Sequence, residues 1–175
     1  MESNSVFNEY SMAYAWDIYR QFSRGYLIDR TVVLHPKIIL GCGEHLTPAF
    51  KEKHNIQYVV NCSFDDYSPP WFRKSSPQNY ECIQAIDDPS VDITMWYPKF
   101  ETCMDKFIRQ DGRIFVHCQK GINRSAFLAL IYLCLKFNYD LRSTIKGIAI
   151  IRPCVFSNIN FRLQVIDYVK KHTSS

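Results

Sequence analysis

The stretch from Arg113 to Lys136, RIFVHCQKGINRSAFLALIYLCLK, constrains the fold more than any other part of the chain. Ile114–Val116 is apolar without alternation, the pattern of a strand covered on both faces. A polar loop containing Gly121 follows, and then an apolar stretch running from Arg124 to about Phe137, long enough for a buried helix. His117 and Cys118 sit where the strand ends, and Arg124 and Ser125 sit where the helix begins. A buried strand that turns straight into a helix N-terminus gathers backbone N–H groups on one point, and the helix dipole adds partial positive charge there. The same field stabilises a thiolate. The planar fork of Arg124 suits two oxygens of a phosphoryl group. One loop therefore supplies nucleophile, cradle and clamp for a tetrahedral anion.

The rest of the chain reads as alternating strands and helices. Phe7, Tyr10, Tyr14, Ile18 and Phe22 are spaced for one face of a helix ending near Ser23–Gly25. That helix is read as an extension packed on the domain; the alternative is a dimer or partner surface, with Trp16 off the stripe. Thr31–Leu34 and Lys37–Leu40 read as strands, and Thr47-Pro48 as the cap and first position of a helix to about His54. Ile56–Cys62 reads as a buried strand. The span from Phe64 to Asn79, with Pro69, Pro70 and Pro77, reads as irregular, and Tyr80–Ile86 as a further strand. Asp92 is expected to cap a helix carrying Trp96, Phe100, Cys103, Met104 and Phe107, with Pro98 kinking it or shifting its start. Asp140 caps Leu141–Ile151, Pro153 stops that helix, and Ser157-Asn158 opens a last one presenting Phe161, Leu163, Val165, Ile166 and Val169 to the core. The expectation is an α/β fold with a mostly parallel central sheet flanked by helices. The division is a helical extension over residues 1–30 and a catalytic domain over residues 31–175.

Composition bounds the setting. A chain of 175 residues suits one domain with a substantial core. Seven scattered cysteines, odd in number and without a CxxC pair, point to reduced thiols and a cytoplasmic or nuclear location. The net charge of +4 favours acidic partners without demonstrating nucleic-acid binding. No apolar run approaches the ~20 residues of a membrane span, and Met1–Tyr10 lacks the pattern of a secretory signal.

Cleaving a phosphate ester with a thiol needs a thiolate, a cradle for the phosphoryl oxygens, an acid for the leaving group and an activated water. Cys118 is the one thiol between a buried strand and a helix N-terminus; the other six read as core or surface thiols. His117 reads as a buried orienting histidine rather than a base. Zinc is not expected, because adjacent His and Cys without a second pair do not build a tetrahedral site. Ser125 can donate its hydroxyl to the sulfur when the cysteine leaves, or satisfy the first helical turn, or both. Gly121 lets the backbone turn tightly. Lys120 lies at the rim, as an electrostatic attractor or an ordinary solvated lysine.

The loop His117–Ala126, HCQKGINRSA, resembles the HCxxGxxRS loop of cysteine-dependent protein tyrosine phosphatases, specifically the dual-specificity branch. IILG (Ile38–Gly41), VVNCS (Val59–Ser63), QAIDDPSVDITMWY (Gln84–Tyr97) and IRPCVFSNINF (Ile151–Phe161) are similar to that family's flanking segments, so the resemblance covers roughly Val33 to His172. It implies a compact, atypical, metal-independent enzyme without cofactor, acting on phosphotyrosine and on phosphoserine or phosphothreonine proteins. It implies Cys118 as nucleophile forming a phosphocysteine, and Arg124 as phosphoryl binder within a cradle of Gln119, Lys120, Gly121, Ile122 and Asn123. Asp87, 31 positions before Cys118, would be the general acid and then the base toward water, with Asp88 its rival. A turn-capping pair is the plain alternative for both aspartates. Asn158 and Asn61 match supporting positions. Asn123 and Lys120 depart from the common pattern. A Gly-x-Asn-Arg loop also resembles the RNA 5′-triphosphatase relatives, although Ser125-Ala126 differs from their threonine-glycine. RNA 5′ ends are therefore the alternative substrate, and a non-catalytic phosphopeptide-binding scaffold is the third reading.

Overall fold

The computed structural model describes residues 30–173. The proposed N-terminal helix, its Phe7–Phe22 stripe, any dimer contact made through it and the boundary near residue 30 lie outside the described residues. Five strands form one sheet in the order β1-β2-β5-β3-β4: β1 Val32–His35, β2 Ile38–Cys42, β3 Ile56–Asn61, β4 Tyr80–Cys82 and β5 Arg113–Cys118. β1 and β2 make an antiparallel hairpin, whereas β2–β5, β5–β3 and β3–β4 are all parallel. The mixed, mostly parallel α/β sheet expected from the sequence is the one observed.

β5 occupies the centre, and Ile114 to Cys118 are all buried, because helices cover both faces. On one face α3 (Tyr97–Ile108), α4 (Arg124–Phe137), α5 (Leu141–Ile151) and α6 (Ile159–Thr173) enclose the larger core, which includes Phe100, Met104, Leu128, Ile131 and Phe161. The other face carries a smaller cluster, Ile39, Ile56, Val59, Phe72 and Phe115, beneath α1 (Pro48–Lys53) and α2 (Pro70–Ser75). Every residue of α4 from Arg124 to Cys134 is buried, so this helix runs through the middle of the domain. Asn138 ends it at φ 57°, a left-handed conformation that asparagine tolerates better than most residues. Asp140 then accepts from the Ser143 amide at 2.9 Å and starts α5, and Thr47 caps α1 by accepting from Phe50 N at 3.1 Å.

Three segments differ from the sequence reading, each for a local reason. The proline-rich span 64–79 is not irregular: it contains α2 and 3-10 turns at Asp65–Tyr67 and Pro77–Asn79. Pro70 and Pro77 each occupy the first position of their helix, where a missing N–H costs nothing. The strand expected over Tyr80–Ile86 ends at Cys82, and Gln84 turns the chain at φ 61°. Asp92 caps a 3-10 turn, Ile93–Trp96, by accepting from Thr94 N, and α3 proper starts at Tyr97 with Pro98 in its first turn. Leu163 is only half-buried, while Arg162 beside it is buried.

Candidate active site

The parallel strands β2, β5 and β3 all end on the same edge of the sheet, and the loop 118–123 rises from β5 there. Its geometry is set by where its carbonyls go. His117 Nδ1 lies 2.9 Å from Cys118 O, and the Cys42 thiol donates to Gln119 O at 3.3 Å. Arg152 donates through Nη2 to Lys120 O and through Nε to Gly121 O at 2.9 Å. Phe156 N donates to Ile122 O at 2.8 Å, and Phe127 N to Asn123 O at 2.9 Å as the first bond of α4. All six carbonyls from 118 to 123 are thereby drawn away from the loop's inside. In a trans peptide the N–H points opposite to the C=O, so the amides of residues 119–124 face inward. That is an anion nest placed at a helix N-terminus.

Cys118 lies at its focus. Its Sγ accepts from Gly121 N at 3.2 Å and from the Ser125 hydroxyl at 3.2 Å. Gly121 has φ 66°, and a Cβ there would stand 2.3 Å from Gly41 O, so the loop packs against β2 with no room for a side chain. Arg124, 7% exposed, donates from Nη1 to Ala85 O at 3.0 Å. Its Nε is buried and without a hydrogen-bond partner among the described residues. Unpaired buried donors are costly, and an oxyanion in the nest would satisfy this one. His117 is fully buried, its Nε2 lies 3.0 Å from Ser68 Oγ, and burial lowers its pKa to about 4. It is therefore neutral at physiological pH, donating from Nδ1 to Cys118 O and accepting the Ser68 hydroxyl at Nε2. It orients the loop backbone and carries no positive charge toward the sulfur. Burial pushes the Cys62 thiol well above the ordinary range, Cys103 to about 11 and Cys134 to about 12, keeping these three protonated.

The cleft above the sulfur has a volume of about 440 Å³ and is lined by Asp87, Cys118, Gln119, Lys120, Ile122, Asn123, Arg124 and Ser157. The two aspartates are separated by their surroundings. Asp87 reaches the cleft, its Oδ2 accepting from Asn123 Nδ2 and its Oδ1 from Asn158 Nδ2, both at 3.0 Å. Asp88 is absorbed in the turn, accepting from Ser90 N at 2.7 Å and Ser90 Oγ at 2.5 Å, and those bonds hold its pKa below the usual carboxylate value. Gln119 and Lys120 are exposed at the rim. Asn61 stays away from the cleft: its Nδ2 donates to Phe64 O at 2.8 Å and its Oδ1 accepts from Ser63 N at 2.9 Å, which fixes the turn after β3. Asn158 does more than brace its own helix, since it touches Asp87. The sequence reading missed Ser68, Arg152 and Ser157. Ser68 bonds the His117 ring and Arg152 the loop carbonyls, each across a long sequence separation, and nothing in local spacing reveals such bonds.

Comparison with known proteins bears on the family and the fold. Residues 38–171 match the family model described as dual specificity phosphatase, catalytic domain. Human dual specificity protein phosphatase 16 is 28% identical over 137 residues, covering 78% of this chain; the chain spans only 20% of that relative's length. Among solved structures, the human tyrosine phosphatase-like serine/threonine/tyrosine-interacting protein superposes with a TM-score of 0.69 at 21% identity, covering 82% of this chain and 98% of that one. OH1 from the Orf virus, described as a tyrosine phosphatase with triple substrate specificity, gives 0.66 at 20% identity, covering 89% and 97%. At these identities the structural likeness speaks to the fold.

Proposed function

Because the chain belongs to the dual-specificity phosphatase catalytic-domain family, we propose that it hydrolyses phosphate monoesters on phosphotyrosine and on phosphoserine or phosphothreonine proteins through a phosphocysteine at Cys118. The observation that carries this reading is the turning-out of six consecutive carbonyls around Cys118, which leaves the loop amides and the unpaired Arg124 Nε to receive three phosphoryl oxygens. Cys118 Sγ attacks phosphorus, the S–P bond forms as the P–O bond to the leaving group breaks, and the Asp87 carboxyl passes its proton to the leaving oxygen. Asp87, now a carboxylate, accepts a proton from water as that water attacks phosphorus. The S–P bond then breaks, and the Ser125 hydroxyl 3.2 Å away stabilises the departing sulfur. None of these steps calls for a metal or cofactor. Seven scattered cysteines without a CxxC pair suit a reducing compartment, cytoplasmic or nuclear.

A panel of phosphotyrosine, phosphoserine and phosphothreonine peptides, run beside triphosphate-ended RNA, tests the substrate class. The expected result is phosphate release from the peptides, lost in Cys118→Ser while that variant still binds them. Preference for the RNA would overturn the assignment. The RNA reading rests on Asn123 and the mild positive charge; the Asn123 side chain spends its amide on Asp87 and Ser157, an acid-linked duty that favours the peptide reading. Binding of peptides without hydrolysis of any aryl phosphate would favour the scaffold reading.

A further inference from the structure

The segment from Ala85 to Ile93, which carries Asp87, has almost no structure of its own. Its internal bonds are Val91 N to Asp88 O and the Asp88–Ser90 pair, and residues 86–90 are all exposed. Between its buried ends, Ala85 and Ile93, no helix fixes it, and only Val91 packs partly against the core. What fixes it is a row of side-chain amides from the start of α6. Asn158 donates to Asp87 Oδ1 at 3.0 Å, and Asn160 donates to Pro89 O at 2.8 Å. Gln164 makes two bonds, donating to Val91 O at 2.9 Å and accepting from Ile93 N at 2.9 Å. Asn160 and Gln164 are four residues apart, so they stand on one face of the helix. From the other side, Asn123 and Arg124 hold Asp87 Oδ2 and Ala85 O, each at 3.0 Å. The segment is thus stitched at alternate residues, 87, 89, 91 and 93, to the first two turns of α6 and the residue just before it.

We propose that Asn160 and Gln164, which do not line the cleft, are positioning residues for proton transfer: they act through Asp87, keeping the acid docked over Cys118 before substrate arrives. The proposal rests on Asp87 being the general acid. A backbone carbonyl and a backbone N–H held by one glutamine cannot swing independently, so an otherwise unsupported loop is held in its working position. The energetic basis is pre-organisation: a misplaced acid loses proton-transfer efficiency although its chemistry is unchanged.

The test compares phenyl phosphate, whose leaving oxygen needs a proton, with an aryl phosphate bearing an electron-withdrawing ring, whose leaving group does not. In Asn160→Ala/Gln164→Met, kcat/KM for phenyl phosphate, which reports the steps through phosphocysteine formation, should fall about tenfold, a fraction of the ~10²–10⁴ supplied by a general acid, while kcat/KM for the activated substrate is nearly unaffected. In an Asp87→Asn background the same double change should add nothing. Equal losses on both substrates, or a loss that persists without Asp87, would mean a merely structural role and overturn the proposal. So would an unchanged phenyl phosphate rate. If Asp87→Asn slows phenyl phosphate no more than the activated substrate, the acid assignment fails; if it slows phenyl phosphate selectively but the amide variants leave the ratio of the two rates unchanged, only the positioning role fails. Should the double variant fold poorly, Gln164→Glu keeps the acceptor for Ile93 N and removes the donor to Val91 O. It should then show a smaller loss confined to phenyl phosphate, and an equal loss on both substrates would refute the idea.

Discussion

Replacing Arg152 by methionine tests the loop architecture most sharply. Arg152 is fully buried and, among the described residues, donates to the backbone carbonyls of Gly121 at 2.9 Å, Arg30 at 2.8 Å, and Lys120. Methionine keeps much of the volume and none of the donors. Hydrogen bonds to a charged group contribute roughly 1.5–3 kcal/mol each, so three at the low end sum to about 5 kcal/mol. Sparing the guanidinium its desolvation offsets part of that, leaving a net loss of about 3 kcal/mol. At about 2–4 °C per kcal/mol for a domain of this size, Tm should fall by roughly 6–12 °C. Function should suffer separately, because two freed carbonyls let the amides of residues 121 and 122 turn away from the anion. Inhibition by vanadate should weaken at least tenfold, equivalent to about 1.4 kcal/mol of lost binding. Arg152→Lys should not rescue either property, since one ammonium cannot span the three acceptors held by a planar fork. Thermal unfolding followed by circular dichroism and a vanadate inhibition constant measure both. A Tm within about 2 °C of wild type together with unchanged vanadate inhibition would refute the assignment of Arg152 as the strut of the loop.

Three further outcomes are expected. Asp87→Asn should slow hydrolysis of poor leaving groups by about 10²–10⁴, whereas Asp88→Asn, whose carboxylate is spent on Ser90, should leave that rate nearly unchanged; parallel kinetics on phenyl phosphate decide it. His117 is held neutral by burial with a pKa of about 4 against 6.5 when unfolded, so the unfolded chain binds the extra proton between those values. That contribution to stability is therefore complete above about pH 6.5, falls by on the order of 3 kcal/mol as pH drops toward 4, and should be missing from the urea-unfolding pH profile of His117→Gln. Gly147 lies inside α5 with nothing within 4 Å of a built Cβ, so Gly147→Ala should stabilise by about 0.5–1 kcal/mol and raise Tm in a thermal scan without changing turnover.

The parts legible in the sequence were those fixed by local pattern. The unbroken apolar runs gave β5 and α4, the latter ending at Phe137 as read, and Asp140 marked the start of α5 where the structure has it. Cys118, Gly121, Arg124 and Ser125 could be brought together on paper because they fall within eight consecutive residues, the loop and the first helical turn. The prolines misled at 64–79 because Pro70 and Pro77 open helices as readily as they break them. The strand after Tyr80 was drawn too long because its apolar residues continue into the core as a turn, with Ile83 and Ala85 buried beyond the last ladder position. Asp87 and Asp88 could not be told apart by sequence alone, since the difference is which one Asn123 and Asn158 reach. Ser68 on His117 and Arg152 on the loop carbonyls are contacts across 49 and 31–32 residues, visible only once the chain has folded.

The central claim is that Cys118 becomes covalently phosphorylated during turnover. Rapid acid quench of the enzyme with a phosphorylated substrate, followed by peptide mass spectrometry, tests it directly. A phosphoryl adduct on the peptide containing Cys118, absent in Cys118→Ser and longer-lived in Asp87→Asn when an activated aryl phosphate is used, is the predicted result. Full turnover with no adduct on Cys118, or turnover that survives in Cys118→Ser, would contradict the account.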